Sequence, residues 1–195
     1  MFPRLEWRTV LRAFIGFLVG LGVWILLSPA YDRGIAAGAT AVMRAFEKPK
    51  VTRLKPTENE YVTIDRSDFD PRSKRPAVAI RDLTFNIALL TALFAASKRT
   101  FSDRNIGGFL IALVLLSLTH IFGTIAEVMS FYVAKLGMWS TVHYGDFSRN
   151  FWGVINHSYR LVLMYAFAFA FWWVFRDPAT EGAAAPVKKK SKKKR

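Results

Sequence analysis

Apolar residues in this chain are bunched into four runs rather than spread with the periodicity of a soluble fold. The first, AFIGFLVGLGVWILLSPA at 13–30, is long enough to cross the ~30 Å of a bilayer's hydrocarbon. The second, DLTFNIALLTALFAAS at 82–97, is short and stops at the basic turn KRTFSDR, 98–104. The third, 106–134, exceeds what a membrane needs, so it tilts or emerges at one end. The fourth, 155–175, ends in Trp172 and Trp173, which suit the interfacial aromatic belt. The pattern predicts an all-α integral membrane protein with four transmembrane helices.

Between the first two runs lies a patterned loop, 31–81. YDRGIAAGATAVMRAFEK, 31–48, has apolar residues at helical spacing and can extend the first helix past Pro29. KVTRLKP and EYVTIDRS flank TEN at 57–59 and read as a β-hairpin. AVAIRDLTF, 77–85, leads back to the membrane and is a candidate third strand. A small extracytoplasmic β-hairpin element over the bundle is therefore expected. Residues 1–178 form one membrane domain in this reading, and 179–195 a separate tail. A cleaved signal peptide is the rival for residues 1–30, with SPA at 28–30 as the cleavage site, but the apolar run is long for that role.

Charge sets the orientation. The chain has 195 residues, a formal charge of +14 and no cysteine, which excludes disulfides, Cys-ligated metals and thiol nucleophiles. Lys and Arg are dense in 1–12, 98–104 and 176–195, whereas the loop 31–81 mixes bases with acids. The bias places both termini in the cytoplasm. The tail holds Lys188, Lys189, Lys190, Lys192, Lys193, Lys194 and Arg195. Its composition builds no core, and it is expected to be disordered and to touch anionic lipid. With no aromatic residue interleaved for base stacking, nucleic acid is disfavoured as its partner.

The candidate chemistry is polar groups inside apolar sequence. His120 and Glu127 in SLTHIFGTIAEVMS are seven apart and share a helix face, about 10.5 Å along the axis. Asn86, His143, His157 and Arg160 could join Glu127 at the outer end of the bundle, with His120 deeper. Three histidines without an H-x-x-x-H spacing do not suggest a metal site. His120 and Glu127 cannot touch each other directly, which weighs against an acid–base pair. Hydrogen bonding within the bundle, with an Arg160–Glu127 ion pair, is the expected role. No cofactor is implied. Gly16 and Gly20 form a G-x-x-x-G, which lets helix backbones approach closely.

The order of elements over about 31–175 resembles the core of the exosortase/archaeosortase membrane proteins. The resemblance implies a cysteine opening the helix entered from outside, followed by arginines or a histidine near the outer ends of later helices. It further implies cleavage of C-terminal sorting signals and transfer of the protein. Here IRDLTFN, 80–86, carries no cysteine, and Thr84 is its nearest hydroxyl. His120 or Thr119 stands where an arginine is implied, and His157 or His143 could stand for the final histidine. The chain thus resembles a reduced relative without the nucleophile, of the kind called exosortase H-associated membrane proteins.

That resemblance implies a non-catalytic membrane accessory of an exosortase-type sorting system, with lipid and a polytopic partner such as an exosortase around it. The rivals are a non-cysteine hydrolase or transferase using the outer polar cluster, and a small scaffold or transport subunit. Near an anionic surface each Lys or Arg is worth about 1 kcal/mol. Removing residues 187–195 should therefore weaken binding to anionic vesicles by about tenfold or more, an effect that shrinks as salt rises. A flotation assay that finds no change would exclude lipid contact by the tail.

Overall fold

The computed structural model describes residues 6–57, 61–69, 72, 74–97 and 99–177. The basic tail, with Lys188 to Arg195, lies outside the described residues. The molecule is mostly helical, with one small sheet. Helix α1, Trp7–Phe46, runs for 40 residues, about 60 Å, twice a bilayer's hydrocarbon. Pro29 sits inside it, where its ring denies a hydrogen bond to the preceding turn. The Ser28 hydroxyl donates to the Trp24 carbonyl at 2.6 Å in that turn, a way of feeding backbone acceptors where water is absent.

After α1 come β1 (Thr52–Pro56), β2 (Tyr61–Arg66) and β3 (Ala77–Ala79). They form an antiparallel sheet in the order β1-β2-β3, with Leu54 opposite Ile64 and Val62 opposite Val78. The expected hairpin is thus extended by one strand. Its alternation buries Leu54, Val62, Ile64 and Val78 against Ala36, Ala39 and Met43 of α1. Tyr132 and Val128, from a later helix, close the same core.

The second apolar run forms two pieces, α2 (Arg81–Thr84) and α3 (Asn86–Ala95). At 10 residues, α3 covers about 15 Å alone. Helix α4, Asp103–Ala134, begins at Ser102, whose hydroxyl accepts from the Asn105 N–H at 3.2 Å, a serine N-cap. A short α5 (Met138–His143) and then α6 (Asp146–Ser158) follow. A π-helical stretch, Tyr159–Leu163, carries α6 into α7, Met164–Phe175. This last helix starts well before residue 155. Three helices are long and apolar enough to cross a membrane: Trp7–Phe46, Asp103–Ala134 and Asp146–Phe175. Their outward faces are apolar. Leu26 is 79% exposed, and Val19, Leu110, Val114, Leu161 and Phe169 also face outward, as suits a bundle solvated by lipid.

Small residues let the helices close. A Cβ on Gly16 would lie 2.3 Å from Ala95 Cβ, and one on Gly20 would lie 2.7 Å from Thr91 Cβ. A Cβ on Gly108 would lie 2.2 Å from the Phe175 carbonyl oxygen. These contacts put the start of α1, the end of α3, the start of α4 and the end of α7 at one end of the bundle. The sheet sits at the other.

Arg66 fastens the sheet to the helices. Its guanidinium, only 9% exposed, pairs with Glu47 and with Asp68, each at 2.7 Å. It also lies over the rings of Tyr132, Trp139 and Phe69, 4.9, 5.1 and 5.6 Å from their centroids. Glu47, the residue that ends α1, in turn accepts from the Thr52 N–H and hydroxyl. The Arg66 hydrogen bonds hold the Asp68 carboxyl below the usual carboxylate range, against a smaller opposing effect of burial. Such a group contributes stability that is complete above its unfolded pKa, ~4, and is lost as pH falls through the lowered folded value.

Arg66→Ala should loosen the sheet. Breaking a fully buried pair costs about 3–5 kcal/mol; these carboxylates are partly solvated, so about 2 kcal/mol is expected. Amide hydrogen exchange across 52–66 should accelerate in the variant, and in the native protein once pH drops below ~4. Unchanged protection under both conditions would exclude this role for Arg66.

Candidate functional site

The polar face of α4 is built around His120. The ring is fully buried, with Nε2 2.6 Å from Asn86 Oδ1 and Nδ1 2.7 Å from the Tyr31 hydroxyl. Asn86 is oriented by its own amide, whose Nδ2 donates to the Met164 carbonyl at 2.5 Å. Its Oδ1 must therefore face His120, and Nε2–H is the donor in that contact. Nδ1 is left as an acceptor facing the Tyr31 hydroxyl, whose single hydrogen is shared between it and Ser117 Oγ. Tyr31 also contacts Ser117 Oγ at 2.9 Å. The chain Ser117–Tyr31–His120–Asn86–Met164 ties α1, α3, α4 and the last helix together through neutral groups. Both ring nitrogens of His120 are engaged and, among the described residues, no carboxylate is hydrogen-bonded to the ring, so a neutral imidazole fits the site.

One turn along, Gly123 admits the ring of Tyr159. A Cβ at Gly123 would lie 2.2 Å from Tyr159 Cε1. The Tyr159 ring also meets Phe122 edge-on, with centroids 6.3 Å apart. Its hydroxyl is buried without hydrogen-bond geometry to any described side chain. Thr124, beside Gly123, returns its hydroxyl to the His120 carbonyl at 2.9 Å. Further out, Arg160 Nε donates to Glu127 Oε2 at 2.9 Å, with side-chain exposures of 36% and 12%. Tyr159 and Arg160 open the π-helical stretch. A π turn carries one extra residue, so it shifts which face the rest of the helix presents.

The candidate polar residues therefore fall into separate groups. Asn86 meets His120, and Glu127 meets Arg160. His143 is exposed, stacked on Trp139 with ring centroids 4.3 Å apart and Nδ1 2.8 Å from the Trp139 carbonyl oxygen. His157 is exposed on α6. Neither joins the other four. Among the described residues no group of three or more His, Asp or Glu is placed to hold a metal ion.

Thr84, the hydroxyl nearest the position where the resemblance implies a nucleophile, is buried. It accepts from Trp24 Nε1 at 3.1 Å and donates to the Arg81 carbonyl at 2.9 Å. Tyr31 is not legible in the sequence as His120's partner. Residue 31 is 89 positions away, and no spacing rule links them.

Against that geometry the comparison with known families is decisive. The profile of the exosortase H-associated membrane proteins matches residues 4–179. The chain belongs to that family. No curated protein and no solved structure matches it. The chain is thus a membrane protein of a family associated with exosortase H, and its sequence contains no cysteine.

Leaving a buried polar group without its partner costs about 1–3 kcal/mol. His120→Leu and Asn86→Leu should each lower detergent stability by about that amount. The double variant should cost less than their sum, since it removes both partners at once. Strictly additive losses, read from thermal unfolding in detergent, would show that the two side chains do not interact.

Proposed function

We propose that this protein is a non-catalytic accessory of an exosortase-type protein-sorting system in a bacterial inner membrane. The observation that carries the reading is the enclosure of His120. The residue best suited to proton transfer is fully buried, and both its nitrogens are engaged by neutral groups. Glu127 is committed to Arg160, and Thr84 is held by two hydrogen bonds. General acid–base or nucleophilic chemistry needs a group within reach of substrate; here these groups connect helices instead. Association with exosortase H comes from the family to which the chain belongs.

The same reading has four crossings, with both termini cytoplasmic. Arg81 pairs with Asp32, 3.7 Å away, at one end of the α2–α3 unit. Ala95 meets Gly16 at the other end. The unit thus runs antiparallel to α1 between Gly16 and Asp32, a rise of about 24 Å, most of the hydrocarbon thickness. The basic turn after α3, the start of α1 and the end of α7 then share the cytoplasmic side, in keeping with positive-inside bias.

The decisive test is a mild-detergent pull-down of the tagged protein from its native membranes, followed by mass spectrometry. The expected outcome is enrichment of a cysteine-containing exosortase over other membrane proteins, retained by His120→Gln variants that still fold. Recovery of the protein alone, under conditions that keep other membrane complexes intact, would overturn the accessory reading.

A further inference from the structure

The end of the bundle away from the sheet carries a groove that the polar network does not use. Helix α3 stops at Ala95, so α1 and α4 face each other beyond it across the turn that follows. A cavity of about 750 Å³ lies between them, within the range of ligand sites. Its walls are apolar: Ile15 and Val19 from α1, Phe94 from α3, Ile106 and Phe109 from α4. Gly16 forms part of the wall and adds no side chain to fill it. The mouth is different in kind. Arg12 and Arg99, both exposed, line it from opposite sides of the turn.

The level of that mouth is marked independently. Gly108, one turn into α4, meets Phe175, and the Arg176 guanidinium next to it lies 4.0 Å from the Trp173 ring centroid and 4.8 Å from that of Trp172. Tryptophans and arginines at a helix end mark the headgroup region. The groove therefore opens at headgroup depth and runs toward the hydrocarbon.

Asn105 adds a directional group. It lines the groove, is 2% exposed, and donates through Nδ2 to the carbonyls of Phe94 and Thr100. That fixes the amide, and its Oδ1 is buried without a hydrogen-bond partner. Its side chain braces α4 against the end of α3 and the turn that closes the groove.

We propose that this groove binds one anionic phospholipid. One acyl chain lies against Ile15, Val19 and Phe109. The phosphate sits between Arg12 and Arg99. A phosphodiester matches two guanidiniums in charge and in hydrogen-bond geometry. An apolar wall below a cationic mouth matches the amphipathic shape of a lipid. This site is distinct from the basic tail and does not depend on the accessory reading.

The test uses the full-length protein in mild detergent, titrated with dioleoyl phosphatidylglycerol or dioleoyl phosphatidylcholine and read by native mass spectrometry. One phosphatidylglycerol should bind about tenfold or more tighter than phosphatidylcholine, given two cations at the mouth. The pair Arg12→Gln with Arg99→Gln should remove that preference, while Val19→Trp, which fills the groove, should remove binding of either lipid. Replacing Lys188, Lys189 and Lys190 by Gln should leave the tight lipid in place. Equal binding of the two lipids, or loss of the tight lipid with the tail variant instead of the arginine pair, would overturn the proposal. So would a photo-crosslinker at Ile106 that traps a protein helix in native membranes rather than lipid. Val19→Trp keeps the test open if the arginine pair fails to fold, since lipid retained in that variant would also overturn it.

Discussion

The hydrogen bond between His120 and Asn86 joins the middle of a 32-residue helix to the first turn of a 10-residue one. Hydrocarbon offers no partner to a polar atom, so each one must find its partner inside the protein. His120 does so through Asn86 on one side and Tyr31 on the other, and Asn86 passes the constraint on to the Met164 carbonyl. Four segments of chain are thereby held in one register. With most apolar side chains turned toward lipid, burial of hydrophobic surface does little to choose among arrangements of the helices. Satisfying these polar atoms, and fitting Gly16, Gly20, Gly108 and Gly123 under their neighbours, chooses among them instead.

The two ends of the bundle are built on different physics. At the sheet end, α1 and α4 rise beyond the apolar zone and pack against strands, with Arg66 held between two carboxylates and three aromatic rings. That end has a conventional core of Ile64, Val62, Tyr132 and Met43. At the other end the helices meet through glycines and phenylalanines, and charged side chains sit at the rim. The molecule is a soluble-type module continuous with a membrane-type one through two long helices.

The sequence was informative where local pattern decides structure. The apolar runs marked the long helices, alternation marked β1 and β2, and the seven-residue spacing put His120 and Glu127 on one face. Arg160 was matched with Glu127 because both had to lie near the outer end of neighbouring helices. What stayed hidden depends on contacts between distant segments. Nothing near Tyr31 announces that it will meet His120, and nothing near Arg66 announces an aromatic cage drawn from α4 and α5. The break in the second run at Phe85 is not legible, because an apolar run carries no sign of where a helix will bend. His143 and His157 were grouped with the polar cluster by their place along the chain, but they lie on α5 and α6 and face outward.

The π-helical stretch at Tyr159–Leu163 has a consequence for how this helix can vary. An α-helix turns about 100° per residue, so one extra residue in a single turn offsets everything downstream by that angle. Upstream of the offset, α6 can present His157 and Trp152 to its surroundings. Downstream, α7 aims Phe171 and Phe175 at α3 and α4. The insertion works as a splice between two helical phases, each free to follow its own neighbours. A chain one residue shorter there would have to choose between seating Tyr159 over Gly123 and seating Phe175 over Gly108.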